Sequence, residues 1–166
     1  MADHRQQNQQ YSGEVVQVVS FRLGTEEYGV DIAQVQEIIR LVEITHVPRA
    51  PHFMEGVINL RGQLIPIIDL RTRFGMERIA ATKSTRIVVT EIGTKRVGIV
   101  VDSVSEVLNI PIENVEDAPE MVAGVGTEYI QGVGKMGDRL IIMLDLTMVI
   151  SSEEKQQLET VESPTA

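Results

Sequence analysis

The stretch GVINLRGQLIPIIDL at residues 56–70 recurs without gaps as GVGKMGDRLIIMLDL at residues 132–146. Six pairs of equivalent residues are identical: Gly56 and Gly132, Val57 and Val133, Leu64 and Leu140, Ile65 and Ile141, Asp69 and Asp145, and Leu70 and Leu146. Self-similarity at a fixed spacing indicates that one structural unit is used twice. The tips differ, because the first copy reads Asn-Leu-Arg-Gly there and the second reads Lys-Met-Gly-Asp. We therefore expect a shared architecture with different functions at the two tips.

Each copy predicts a β-hairpin followed by a short helix. In the first copy, strands at residues 56–61 and 63–68 meet at a tip near Arg61. Asp69 follows the second strand and is placed to cap the helix, and Asp145 has the same place in the second copy. Two equivalent helix caps are the simpler interpretation of this pair, and paired carboxylates for acid–base chemistry are the alternative.

Short strands separated by turn residues are expected in the rest of the chain as well. Apolar alternation predicts strands at four stretches: residues 15–23, 26–30, 86–92 and 96–101. After Asp31, apolar residues at helical spacing predict a helix with Asp31 as its cap: Ile32, Val35, Ile38, Ile39 and Val42. A short strand at residues 42–47 is expected next, and Ser151 is placed to cap a final amphipathic helix. About ten strands and three short helices favour small β-barrels over a doubly wound sheet.

Composition excludes several kinds of site and partner. The chain has 166 residues, 43% of them hydrophobic, which fits one domain or two small lobes that share a core. The absence of cysteine excludes disulfides, thiolate nucleophiles and cysteine-based metal sites. None of the three histidines has the spacing of a zinc ligand, so no metal site is predicted. A net charge of −9 argues against nucleic acid as the main partner.

The sequence also predicts where the protein works. No apolar run reaches the roughly 20 residues that a membrane-spanning helix needs. The polar, glutamine-rich start lacks the apolar segment of a signal peptide. We therefore expect a cytoplasmic protein whose residues 1–13 form a disordered tail.

One stretch of the sequence matches a cofactor-binding motif. Residues 132–137 match G-x-G-x-x-G, a pattern that binds a dinucleotide only where it joins a strand to the N-terminus of a helix. An apolar strand is expected to follow it here, so the glycines are better explained as hairpin residues. A nucleotide-binding enzyme that uses this loop is therefore the disfavoured alternative, and no catalytic or cofactor-binding residues are predicted.

Arg61 stands out as a candidate binding residue. It lies at a hairpin tip between Leu60 and Gly62, where ordering a long side chain costs entropy unless the side chain has a partner. The planar guanidinium suits a carboxylate or the carbonyls at the end of a helix. An exposed turn charge without function is the alternative that the residues leave open.

With these residues identified, the chain resembles the CheW family of chemotaxis coupling proteins. It is also similar to the CheW-like regulatory domain of the chemotaxis kinase CheA. The resemblance covers about residues 14–151, and six segments carry it: residues 27–32, 35–38, 56–62, 66–70, 98–102 and 104–108. These motifs are specific in combination, whereas any one of them alone is a weak signal.

The resemblance implies a mostly β fold of two packed SH3-like five-stranded β-barrel lobes with short helices. Lobe one is expected at about residues 14–80 and lobe two at about residues 81–151, with exchange of strands between the lobes. A C-terminal helix and tail would occupy residues 152–166.

The resemblance also implies a function. The family is a non-enzymatic adaptor that joins methyl-accepting chemotaxis receptors at the membrane to the histidine kinase CheA, and the alternative is a CheW-like regulatory module of another two-component protein. The receptor tip would lie in an apolar groove between the lobes, bordered by these motif-matched residues: Val35, Glu37, Gly56, Arg61 and, from the second lobe, Val104. The regulatory domain of CheA would pair with barrel ends.

Overall fold

The computed structural model describes residues 14–51, 53–117 and 129–149. Over these residues it contains eleven strands and two one-turn α-helices, with 3-10 turns at Ile32–Gln34 and Ile112–Asn114. The elements in chain order are β1 Val15–Leu23, β2 Glu26–Asp31, β3 Val35–Arg40, β4 Met54–Leu60, β5 Gln63–Asp69, α1 Leu70–Arg73, β6 Arg86–Ile92, β7 Lys95–Val101, β8 Ser103–Pro111, β9 Val115–Glu116, β10 Ile130–Met136, β11 Arg139–Leu144 and α2 Leu146–Val149.

The strands form two sheets, each of which curls into a small barrel. Sheet A has the order β8-β1-β2-β11-β10-β9, and sheet B has the order β3-β6-β7-β5-β4. Each sheet has a small core cluster of its own, and a larger cluster takes residues from both sheets. The fold is therefore mostly β, with two SH3-like barrels packed together, as predicted. Sheet B has the expected five strands, whereas sheet A has six.

Sheet membership does not follow the order of the chain. The strands β1 and β2 lie in sheet A with β8 to β11, whereas β3 to β7 form sheet B. The chain thus passes between the sheets twice, first between Asp31 and Val35 and then at Asp102. Strands of the two repeats are thus exchanged between the sheets, because each hairpin pairs in parallel with a strand of the other repeat.

The two repeated stretches form equivalent hairpins, as the sequence predicts. In the first hairpin Leu60 lies opposite Gln63, and in the second Met136 lies opposite Arg139, so each tip is a two-residue turn. Asp69 accepts a hydrogen bond from the amide of Arg71 at 2.9 Å. Its counterpart Asp145 accepts one from the amide of Thr147 at 3.0 Å, and both aspartates are helix caps.

The helix predicted after Asp31 was wrong. Asp31 caps only the 3-10 turn, by accepting a hydrogen bond from the amide of Ala33 at 2.9 Å. The residues that follow form β3, in which half-buried and exposed side chains alternate. β-Branched residues such as Ile38 and Ile39 suit a strand, and β6 supplies the pairing partner that the local pattern could not anticipate.

Two further expectations differ from the structure or lie beyond it. The strand expected at residues 42–47 is reduced to a single bridge between Thr45 and Val57. The tail at residues 1–13 and the helix expected from Ser151 lie outside the described residues.

The aromatic side chains of the described residues lie in the core between the sheets. The rings of Phe21 and Tyr28 are 5.8 Å apart, those of Tyr28 and Phe74 are 6.0 Å apart, and those of Phe74 and Tyr129 are 5.5 Å apart. Phe53 belongs to the same cluster. Because the chain has only three Phe and three Tyr, this concentration makes the contact between the sheets the aromatic centre of the molecule.

Candidate functional site

Val35 and Val104 lie near the starts of the two strands that follow the passages between the sheets. Val35 is the first residue of β3 and lies opposite Thr90. Val104 is the second residue of β8 and lies opposite Phe21. Both side chains are half-buried and pack against the core cluster shared by the two sheets. Both predicted residues therefore pack on the same core cluster, each from a different sheet.

Glu37 and Arg61 form an ion pair between β3 and the tip of the first hairpin. Nη1 of Arg61 donates to Oε1 of Glu37 at 3.4 Å, and Nη2 donates to Oε2. The Arg61 side chain is 66% exposed and that of Glu37 is 30% exposed, so the pair faces solvent. The hydrogen bond from Arg61 lowers the pKa of Glu37 below its ordinary value. The carboxylate that suits the guanidinium of Arg61 is thus supplied by Glu37.

The backbone of the tip holds Arg61 in an uncommon conformation. Arg61 has a φ of 52° and Gly62 a φ of 89°, as a two-residue hairpin turn requires. The side chain of Asn59 accepts a hydrogen bond from the amide of Gly62 at 2.8 Å and closes the turn. A left-handed conformation at a residue other than glycine costs about 1–2 kcal/mol. Arg61 is therefore displayed at a site where glycine or asparagine is favoured sterically.

Gly56 has a steric role in the fold. It has a φ of 156°, and a Cβ added to it would lie 2.2 Å from the carbonyl oxygen of Thr45. The next residue, Val57, exchanges two backbone hydrogen bonds with Thr45, at 2.8 and 2.9 Å. The close approach of these two segments explains the glycine without reference to any partner.

The other barrel contains a second glutamate–arginine pair, which was not predicted from the sequence. Nη1 of Arg139 donates to Oε2 of Glu106 at 3.0 Å, and the same guanidinium donates to both oxygens of Glu27 at 3.2 and 2.6 Å. Glu27 is only 6% exposed, and the hydrogen bond from Arg139 lowers its pKa in spite of burial. Glu106 has the same place in its repeat as Glu37, and that alignment could have indicated the second pair.

The glycine-rich second tip is a turn between strands. Gly137 has a φ of 62°, and β11 begins two residues later. A Cβ added to Gly132 or Gly134 would lie about 3 Å from neighbouring atoms of Glu116 and Ile110. The strand-to-helix junction that a dinucleotide site requires is absent at these described residues.

The family model described as the CheW-like domain matches residues 17–154 of the chain. The chain belongs to the CheW-like family. The chemotaxis protein CheW of Klebsiella aerogenes is 41% identical over 152 residues, which are 90% of this chain and 92% of that protein. The chemotaxis protein CheW of Treponema pallidum is 35% identical and covers 93% of this chain and 94% of its own.

A solved structure matches this CheW-like chain as well. The crystal structure of the scaffolding protein TtCheW from Thermoanaerobacter tengcongensis superposes with a TM-score of 0.78 at 37% identity. The match covers 85% of this chain and 96% of that protein. Family and fold therefore agree, and the family is one of chemotaxis scaffold proteins.

The two barrels of this CheW-like chain expose the same apolar position beside their hairpin tips. Leu64 in sheet B is 48% exposed, and its counterpart Leu140 in sheet A is 58% exposed. Leu64 lines a shallow cleft with residues at the turn between β6 and β7, including Lys95 and Arg96. Equivalent apolar residues in both barrels indicate that this end of each barrel has kept a common surface.

One charged position beside these leucines differs in sign between the barrels. Gly29 in β2 lies opposite Met143, and Gly98 in β7 lies opposite the equivalent residue of the first hairpin. This register makes Glu26 and Glu27 in sheet A the counterparts of Lys95 and Arg96 in sheet B. Glu27 is buried and paired with Arg139, so the two barrel ends share an apolar position and differ in charge at the exposed Glu26 and its counterpart Lys95.

Two other features are absent from the residues that the structure describes. No helix in this part of the chain is long and apolar enough to cross a membrane. Nor do the described side chains of His, Asp and Glu form a group of three that could hold a metal ion.

Proposed function

We propose that the protein is a non-enzymatic adaptor in bacterial chemotaxis that couples the cytoplasmic tips of methyl-accepting receptors to the histidine kinase CheA. It would act in the cytoplasm and be recruited to receptor arrays at the membrane. The observation that carries the proposal is the solvent-facing pair of Glu37 and Arg61, whose glutamate follows the half-buried Val35 by two residues in β3. Membership of the CheW-like family supports it.

The receptor site in this proposal is the apolar surface between the sheets. Val35 and Val104 remain partly accessible while they pack on the shared core, so they can accept the apolar face of a helix. Glu37 and Arg61 lie at the edge of this surface, where charged groups fix the register of a partner more than they raise its affinity. Gly56 contributes indirectly, because it lets the first hairpin approach the segment at Thr45.

The kinase site in this proposal is formed by the barrel ends with the exposed leucines. Leu64 and Leu140 offer an apolar contact of the kind that a similar barrel in the regulatory domain of CheA could share. Lys95 near one leucine, and Glu26 near the other, would allow the two ends to select different partners. Signalling would then proceed through binding and through shifts in the populations of conformations, and not through a chemical reaction of this chain.

A capture experiment tests the proposal. The full chain is immobilised and exposed to a receptor cytoplasmic fragment, to CheA, and to both together. We expect each partner to be retained alone and both to be retained in the mixture. Failure of the folded chain to retain either partner would contradict the adaptor function, and micromolar binding of NAD or ATP in a calorimetric titration would favour the nucleotide-binding alternative.

A further inference from the structure

The second passage between the sheets is held against sheet A at Asp102. Val101 ends β7 in sheet B and Ser103 begins β8 in sheet A, so the chain changes sheet at Asp102. The amide of Asp102 donates to the carbonyl of Arg22 at 3.0 Å. Its Oδ2 accepts a hydrogen bond from the amide of Gly24 at 2.8 Å. The residue at the passage is therefore tied to the end of β1 and to the turn into β2.

Arg71 holds the same carboxylate from the side of sheet B. It belongs to α1, which directly follows β5. Its Nε donates to Oδ1 of Asp102 at 2.9 Å and its Nη2 to Oδ2 at 2.7 Å, a bidentate pair. The remaining guanidinium nitrogen, Nη1, donates to the carbonyl of Glu77 at 2.9 Å. One carboxylate thus receives hydrogen bonds from both sheets.

The surroundings of the pair strengthen this link. The side chains of Arg71 and Asp102 are only 13% and 21% exposed, so salt screens them less than a surface pair. The hydrogen bonds from Arg71 hold the pKa of Asp102 below its ordinary value, against the effect of partial burial. The pair therefore stays charged and intact at neutral pH.

The first passage between the sheets is built differently. Its carboxylate, Asp31, accepts a hydrogen bond from the amide of Ala33 at 2.9 Å, which is a local cap two residues along the chain. At the second passage the carboxylate of Asp102 instead pairs with Arg71, which is 31 residues away in the chain. Val104 follows that passage by two residues and Val35 follows the first passage directly. The relative placement of the two valines depends on how the passages are held.

We propose that Arg71 and Asp102 form a brace that sets the angle between the two sheets and so positions Val35 and Val104 for a helical partner. This inference rests on the proposed receptor function and deepens it, because it assigns a role in binding to residues that do not contact the partner. The bidentate geometry holds the carboxylate in one orientation, and a change in that orientation moves β8 relative to β3. Arg71 and Asp102 are positioning residues in this account.

Distance measurements on the free protein test the brace. The chain contains no cysteine, so spin labels can be attached at Thr94→Cys in sheet B and Asp138→Cys in sheet A, both in exposed turns. We expect Arg71→Ala to shift or broaden the distribution of label distances measured by pulsed electron paramagnetic resonance. Arg71→Lys keeps the charge but loses the fork, and its distribution should lie between those of Arg71→Ala and the unsubstituted chain. If Arg71→Ala fails to fold, Arg71→Lys alone supplies the comparison.

Arg78→Ala is the matched control. Arg78 forms an ion pair with Glu55, both residues lie between the two passages, and the change removes the same charge. We expect this variant to keep the label distances of the unsubstituted chain. A distribution for the folded Arg71 variants that is indistinguishable from that of Arg78→Ala would overturn the proposal, because a merely stabilising pair leaves the folded geometry unchanged.

A binding measurement distinguishes an error in the proposed brace from an error in the proposed receptor function. A receptor cytoplasmic fragment is titrated against the same labelled proteins, and we expect Arg71→Ala to weaken binding about threefold to tenfold. Changed distances with unchanged affinity would overturn the positioning role. If the unsubstituted chain binds no receptor fragment, the receptor function fails and the positioning role fails with it, while the distances still decide whether the pair sets the angle.

Discussion

At the scale of single residues, equivalent glutamates are held by arginines from different places in the two repeats. Glu37 receives its arginine from the hairpin tip, as Arg61, whereas Glu106 receives Arg139 from the start of β11. Arg139 is also tied to the buried Glu27, but Arg61 is largely exposed. Breaking the pair of Glu37 and Arg61 to contact a partner should therefore destabilise the fold less than breaking the pair of Glu106 and Arg139.

The first prediction concerns Arg61. Arg61→Ala should leave the urea midpoint of unfolding unchanged, because the side chain is exposed, and should weaken capture of a receptor fragment roughly tenfold. Equilibrium titration of the folded variant measures the loss. Arg78→Ala, which also removes an exposed arginine paired with glutamate, is the control and should bind normally. Normal receptor coupling by folded Arg61→Ala would remove Arg61 from the receptor site.

The second prediction concerns pH and Glu27. The hydrogen bond from Arg139 lowers its pKa in the folded protein below the ordinary value of 4.5, so the unfolded chain binds the proton more readily. Glu27 therefore contributes stability that is present above about pH 4.5 and is lost as the pH falls through the folded pKa. Urea unfolding as a function of pH should show a weaker loss of stability in Glu27→Gln over this acid range. An identical pH profile for the variant and the unsubstituted chain would contradict this assignment.

At the scale of elements, the repeated hairpins share their frame but differ in how closely other segments approach them. Gly56 faces the carbonyl of Thr45, whereas its counterpart Gly132 faces the carbonyl of Glu116. A Cβ would lie 2.2 Å from the first oxygen and 3.0 Å from the second. Of these two glycines only Gly56 has a positive φ, so glycine is required more strictly at this position of the first hairpin.

The third prediction compares these two glycines. Gly56→Ala should lower the free energy of unfolding by about 2–5 kcal/mol, since it combines overpacking with backbone strain. Gly132→Ala should cost about 1 kcal/mol, because a shift of a few tenths of an ångström accommodates the methyl group. Urea unfolding of both variants provides the comparison, and equal costs would show that the approach of Thr45 is not what requires glycine.

At the scale of the whole molecule, the two barrels are joined too closely to unfold separately. The chain passes from sheet A to sheet B and back, and sheet A contains strands from both ends of the described chain. The aromatic cluster also crosses between the sheets, with Phe74 between Tyr28 and Tyr129. Unfolding of either barrel would expose the aromatic cluster to water. We therefore predict that the whole molecule unfolds in one cooperative transition.

The fourth prediction tests this cooperativity. Near-ultraviolet tyrosine signals and far-ultraviolet circular dichroism should give coincident urea transitions. Phe74→Ala should shift both together and cost about 3–5 kcal/mol, because the ring is nearly buried. Leu64→Ala, at an exposed position, should shift neither by much. Separate tyrosine and dichroism transitions would show that the barrels unfold independently.

Much of the molecule was predictable because its signals are local. The hairpins, their tips near Arg61 and Gly137, and the caps at Asp69 and Asp145 follow from turn chemistry and short-range patterns. The helix expected after Asp31 failed for the opposite reason, since its apolar residues are placed by pairing with a strand about 50 residues away. The assignment of Glu37, Gly56 and Val104 to a receptor site stays a prediction.

The sequence by itself determined the repeat, the mostly β class and the family, because spacing and residue type are enough to encode hairpins and caps. Only the tertiary structure decided which repeat supplies each strand of a sheet, and it alone brought Arg61 to Glu37, Arg139 to Glu27 and Arg71 to Asp102. The physical reason is that these contacts join residues between 24 and 112 positions apart. Such pairs leave no periodicity in the chain, because packing of the two sheets, and not local backbone preference, places their partners.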